Sequence, residues 1–123
     1  MTETAGAPLA AVFARLVVMK KRSDFVAASK ARYQSATGLT VQMRNRRDDD
    51  ASVRVGFTCS KKVGNAVARN RAKRRLREIA RIDLPKLAKP GHDYVLIGKK
   101  AVTADRDFDA LRADLAKAIS KLS

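Results

Sequence analysis

Acidic residues, cysteine and histidine are all scarce in this chain, and each scarcity closes a route to function. Among 123 residues there is one cysteine, Cys59, and one histidine, His92. One cysteine allows no intrachain disulfide and fits a reducing compartment. His92 is the only histidine and follows a Pro-Gly turn, so no His pair or Cys-His site is expected. Cys59 alternates with apolar residues and reads as a small hydrophobe, and His92, after a Pro-Gly turn, as a surface residue. The only acidic run is Asp48-Asp49-Asp50. It reads as a solvated turn with no His or Glu beside it, which disfavours a protein-borne nuclease built on clustered carboxylates. No glycine-rich loop of the nucleotide-binding type is present. No apolar run is long enough to span a bilayer. Residues 9–19 are fairly apolar but contain Arg15 and precede the basic cluster Lys20-Lys21-Arg22, the wrong polarity for a secretory signal. The expected location is therefore the cytoplasm, with residues 1–10 a flexible N-terminal extension and residues 11–123 a single domain.

What the chain has in excess is positive charge. The 27 Lys and Arg against 12 Asp and Glu give a formal net charge of +15. Such an imbalance opposes the compact state by self-repulsion unless a polyanion neutralises it. Nucleic acid is the favoured partner. An anionic membrane would call for a basic helix with a bulky apolar face, whereas the basic helix here has a face of small residues.

That helix is the densest signal. No acidic residue occurs from Lys61 to Arg77, and a purely solvated face would mix signs to avoid like-charge repulsion one turn apart. Val63-Gly64-Asn65 turns into the helix, Asn65 is its expected cap, and the helix should run to about Ile82. At about 100° per residue, Ala68, Ala72, Leu76 and Ile79 share a narrow inner face. Asn70, Arg74, Arg77 and Arg81 form the outer stripe. Arg71 and Lys73 flank it, and Arg69 and Arg75 lie near the seam. Arginines at i, i+3 and i+4 can engage successive phosphates bidentately. Asn70, neutral among cations, could read a base edge or a 2′-hydroxyl.

Around this helix the pattern is mixed. A short helix is expected from Ser23, as cap, to about Arg32. Leu39, Val41 and Met43 alternate as a strand with one buried face, residues 44–51 read as a turn, and Val53, Val55, Phe57 and Cys59 form the clearest strand. Pro85 and Pro90-Gly91 punctuate the helix exit. Tyr94 to Ile97 suits a central strand covered on both faces. A last helix from about Arg106 to Lys121 carries Phe108, Leu111, Leu115 and Ile119 at helical spacing. The expected class is α+β: a two-layer α-β sandwich, with a small mixed sheet of about four strands and three helices, in the order α-β-β-β-α-β-α.

The run Ser60-Lys61-Lys62-Val63-Gly64-Asn65-Ala66-Val67, continued by Arg69-Asn70-Arg71, Lys73-Arg74 and Arg77, closely resembles the signature of the bacterial ribonuclease P protein family. Arg54-Val55-Gly56-Phe57, Lys20 through Phe25, and Asp93 through Ile97 resemble that family too, so the likeness covers roughly residues 16 to 120. It implies a left-handed βαβ crossover through the basic helix. It also implies that the protein is the non-catalytic component of ribonuclease P, which removes the 5′ leader of precursor tRNA. The catalytic RNA subunit, with its bound Mg²⁺, would do the hydrolysis, and the protein would aid substrate affinity and Mg²⁺ use. On this resemblance Lys61, Lys62, Asn65, Arg69, Asn70, Arg71, Lys73, Arg74, Arg75 and Arg77 would contact RNA. Phe25, Ser29, Gln42 and Arg54 would line the leader cleft. Ser29 and Gln42 stand where the family often has aromatic residues, so the stacking platform looks reduced, and Phe25 itself reads equally as helix-to-sheet core. No catalytic or metal-ligating residue and no obligate protein partner is implied. The rival reading is a structural RNA-binding protein such as a ribosomal component.

Overall fold

Alternating apolar residues at 39, 41 and 43 and at 53 and 55 place two rows of side chains on one face of a sheet, and that sheet organises the molecule. The computed structural model describes residues 16–59 and 64–123. In chain order the elements are β1 (Leu16–Val18), α1 (Arg22–Ser29), β2 (Arg32–Ser35), β3 (Leu39–Asn45), β4 (Val53–Thr58), α2 (Ala66–Leu87), β5 (His92–Gly98), α3 (Val102–Asp105) and α4 (Phe108–Leu122). The five strands lie in the order β1-β4-β5-β3-β2. β3 runs antiparallel to β2 and β5, while β4 is parallel to both β1 and β5. The parallel β4–β5 pair is joined through α2, the crossover on which the basic residues ride.

The main core lies between the sheet and the layer formed by α2 and α4. Leu39, Val41, Val55, Tyr94 and Leu96 from the strands meet Leu76, Ile79 and Leu84 of α2 and Leu111, Leu115 and Ile119 of α4. Each such side chain contributes about 1.5–3 kcal/mol on burial. The opposite face is covered in part by α1, where Phe25 and Ala28 pack with Met19, Val95 and Ile97. β5 is thus covered on both sides, which is why its apolar run is continuous.

The α+β class and mixed sheet stand as expected, with differences at the edges. Among the described residues there are five strands rather than about four. β1 is three residues long and pairs across the fold (Leu16 opposite Val53), too short to show a period. α1 begins at Arg22 and its cap position is Lys21, with no side-chain cap bond, so Ser23 lies inside the helix. α1 stops at Ser29 because β2 starts at Arg32 and pairs Tyr33 with Gln42. β3 continues through Asn45, two residues into the stretch expected to turn. α2 continues past Ile82 to Leu87 with Pro85 in its final turn. Leu84 is fully buried, and the one backbone bond Pro85 cannot make is to the carbonyl of exposed Arg81. At 22 residues, α2 is about 33 Å long. The last helix starts at Phe108 because Asp107 caps it, accepting from the Ala110 amide at 3.1 Å. Arg106 instead ends α3, a fourth helix among the described residues.

Candidate nucleic-acid interface

α2 starts as its sequence dictates. Gly64 takes a φ of 149°, open to glycine and strained for other residues. Asn65 then caps the helix, its side-chain oxygen accepting from the Ala68 amide at 2.9 Å. Lys61 and Lys62 lie outside the described residues. Ala72, Leu76 and Ile79 are fully buried on the inner face, joined by Ala80 and Leu84, while Ala68 is half-buried. Asn70, Arg74, Arg77 and Arg81 are exposed, so the inner and outer faces are as the periodicity required.

The cations of α2 are not equivalent. Arg75 is half-buried and donates to the carbonyls of Thr103 (3.0 Å), Ala104 (2.7 Å) and Arg106, with its guanidinium 5.8 Å from the Phe108 ring centre. It binds the end of α3 to α2 and faces inward. Arg77 lies 5.9 Å from the Phe57 ring centre, half committed to packing. Arg71 makes an exposed ion pair with Asp105 at 3.3 Å, and Arg81 pairs with Glu78; such pairs are worth about 0–1 kcal/mol. Among the described residues the side chains of Arg69, Lys73 and Arg74 make no hydrogen bond or ion pair. The charge available to a polyanion is therefore concentrated in the first half of α2.

The sheet separates this face from the second set of expected residues. Arg54, Gly56, Val95, Asp93, Gln42 and Arg44 occupy the face that α1 covers in part. The Phe25 ring rests on Gly56. A Cβ there would stand 2.5 and 2.6 Å from two ring carbons and 3.4 Å from the Met19 sulfur. The G56A variant is accordingly expected to displace Phe25 and cost about 1–3 kcal/mol, read as a lowered midpoint of urea unfolding; an unchanged midpoint would mean the ring moves freely. Ser29 is exposed and its hydroxyl donates back to the Val26 carbonyl at 2.6 Å. Gln42 is half-buried, between Tyr33 on β2 and Val95 on β5.

Arg54 belongs to a charge cluster that sequence reasoning missed. Asp93, fully buried, accepts from Arg54 twice (2.7 and 2.8 Å), from Arg46 at 2.9 Å and from Arg44 at 3.5 Å. Asp24 of α1 adds pairs to Arg54 (3.3 Å) and Arg44 (3.7 Å). The hydrogen bond to Asp93 raises the pKa of Arg54. Arg46, with a side chain only 2% exposed, also donates to the Asp50 and Ser52 carbonyls and to Asp48. The acidic turn is thus solvated on one side and wrapped round a buried arginine on the other. That hydrogen bond from Arg46 holds the Asp48 carboxyl below its usual range. The register signal was present: Arg44, Asp93 and Arg54 are direct neighbours across three strands, but pairing between strands is invisible until the sheet order is known.

Cys59 is half-buried, packs on Ala72 and Ala104, and burial raises its thiol pKa. His92 contacts the Pro90 carbonyl at 2.9 Å. Among the described residues no group of three or more His, Cys, Asp or Glu side chains is placed to hold a metal ion, and no helix is long and apolar enough to cross a membrane.

The family model described as Ribonuclease P matches residues 13–123. The chain is 60% identical over 106 residues to the ribonuclease P protein component of Ruegeria pomeroyi, covering 85% of each chain. It is 50% identical over 119 residues to that of Caulobacter vibrioides, covering 97% of this chain and 77% of the relative. The fold is similar to that of the Staphylococcus aureus RNase P protein, with a TM-score of 0.71 and 25% identity over 86% of this chain and 94% of that one. It is also similar to the Thermotoga maritima RNase P protein, with a TM-score of 0.68 and 25% identity over 83% and 93% of the two chains.

Proposed function

The chain belongs to the ribonuclease P protein family, and from that premise we propose that it is the protein subunit of the ribonucleoprotein that removes the 5′ leader from precursor tRNA, working in the cytoplasm. The observation that carries this reading is the outer face of α2. Arg69, Lys73 and Arg74 have no partner among the described residues, Asn70 is exposed beside them, and Arg71 needs only to leave a solvent-exposed pair. A rigid helix holds these groups at intervals that suit successive phosphates of the catalytic RNA. On the other side of the sheet, the partly open face beside α1 receives the single-stranded leader.

The protein positions and neutralises; it does not cut. Asp24 and Asp93 are held by guanidinium groups, so this donor set does not fit a divalent ion, and Mg²⁺ is assigned to the RNA. Neutralising RNA phosphates lowers the divalent-ion requirement for folding and substrate binding, because fewer cations are needed to screen the same charge.

Reconstitution tests the reading. Precursor tRNA is mixed at low Mg²⁺ with the protein, with a ribonuclease P RNA, or with both. Cleavage at the mature 5′ end is expected only with both present. Cleavage by protein alone would make it a nuclease, and no stimulation of the RNA would leave a structural RNA-binding protein.

A further inference from the structure

The open sheet face carries an aromatic ring that does not come from α1. Tyr33 on β2 is 69% exposed, whereas every other Phe or Tyr among the described residues is buried or half-buried. Tyr33 pairs directly with Gln42, so the two side chains share the face on which Phe25 lies. Among the described residues neither the Tyr33 hydroxyl nor the Gln42 amide makes a side-chain hydrogen bond. Cationic groups stand on both sides. Arg44 is two residues along β3 from Gln42, on the same face and 30% exposed, and its pairs with Asp93 (3.5 Å) and Asp24 (3.7 Å) are the longest of the charge cluster around Asp93 apart from the Arg46–Asp50 pair. Lys99 reaches over β2 to the Ser35 hydroxyl at 2.6 Å and the Ala36 carbonyl, both neutral acceptors, so its charge is not cancelled. On α1, by contrast, the Phe25 ring is pressed onto Gly56 and the Ser29 hydroxyl is turned back to its own helix.

We propose that Tyr33 is the base-stacking platform of the leader cleft in this protein, with Gln42 reading the edge of the stacked base and Arg44 and Lys99 taking the flanking phosphates. This rests on the reading of the open face as the leader site. An exposed π-face stacks on any base, and an unpaired half-buried amide can donate and accept at a base edge. The exposed ring of this face therefore comes from the sheet edge, because Phe25 is committed to Gly56 and Ser29 to its own helix.

The test uses the holoenzyme assembled with ribonuclease P RNA and measures affinity for precursor tRNA relative to mature tRNA. Y33A is expected to lower that ratio roughly tenfold, and Y33F to retain it. A leader made of abasic nucleotides should lower the ratio for the wild-type protein and remove the difference between wild type and Y33A. If the wild-type holoenzyme prefers precursor and Y33A keeps the full preference, the role of Tyr33 falls while the leader site stands. Equal losses in Y33F and Y33A, or a Y33A loss that persists with the abasic leader, would also overturn stacking. A wild-type holoenzyme with no preference for precursor would overturn the leader reading, and the role of Tyr33 with it.

Discussion

Replacing Arg69, Arg71 and Arg74 together by alanine is expected to weaken binding to ribonuclease P RNA on the order of 10²-fold at low salt. The slope of log affinity against log salt should fall by roughly 2 to 3, since each lost phosphate contact removes about one released counterion. These three are the informative set because of what holds them. The side chains of Arg69 and Arg74 have no hydrogen bond or ion pair among the described residues, and that of Arg71 has only the exposed pair with Asp105. None anchors the fold, and alanine is the better helix former, so circular dichroism should be preserved. Arg75 is left out of the set: its guanidinium is held by three carbonyls at the end of α3, and its loss would confuse folding with binding. Titrations from 50 to 200 mM salt decide the matter. An unchanged affinity with an unchanged slope would remove α2 from the RNA interface.

The difference between Arg75 and Arg74 also marks where the sequence stops being legible. Helical periodicity placed Arg74 outward and Arg75 near the seam, because both follow from 100° per residue. It could not show that the partner of Arg75 would be the carbonyl end of a four-residue helix nearly 30 positions away. The same limit explains the open face. The inward alternation of Leu39, Val41 and Met43 was readable, since one buried face imposes a period of two. Tyr33 was hidden: residues 32–35 are too few for a period, and the helix pattern of residues 23–29 runs on into them until strand pairing with β3 ends it. Asp93 directly precedes the apolar run Tyr94 to Ile97 and carries no local signal of its own. Its role depends on Arg44 and Arg54 arriving from both neighbouring strands, which requires the order β4-β5-β3. Local signals therefore found the basic helix, and non-local pairing built the charge cluster and the open sheet face on the other side.

The second large effect is expected at Asp93. D93N keeps the shape of the side chain and removes its charge, and should destabilise the fold by about 3–5 kcal/mol. Asp93 is fully buried and accepts hydrogen bonds from Arg54, Arg46 and Arg44 at 2.7 to 3.5 Å. Without the carboxylate, Arg46 would keep carbonyl partners and Asp48, but its buried guanidinium would lose its one fully buried counter-charge. Arg44 and Arg54 would be left to share Asp24, which already pairs with both. An asparagine amide would moreover present N–H groups to guanidinium donors, replacing an attraction with a repulsion. The cost would be larger in this protein than in a neutral one, because a chain of net charge +15 offers few spare anions. Added salt should recover part of the loss by screening the exposed arginines, but not the part due to Arg46, whose side chain solvent barely reaches. Urea unfolding of D93N at low and high salt measures both parts. A total shift below about 1 kcal/mol would mean that the three arginines repel one another little. The cluster would then be a feature of the open sheet face rather than the anchor that joins α1, β3, β4 and β5.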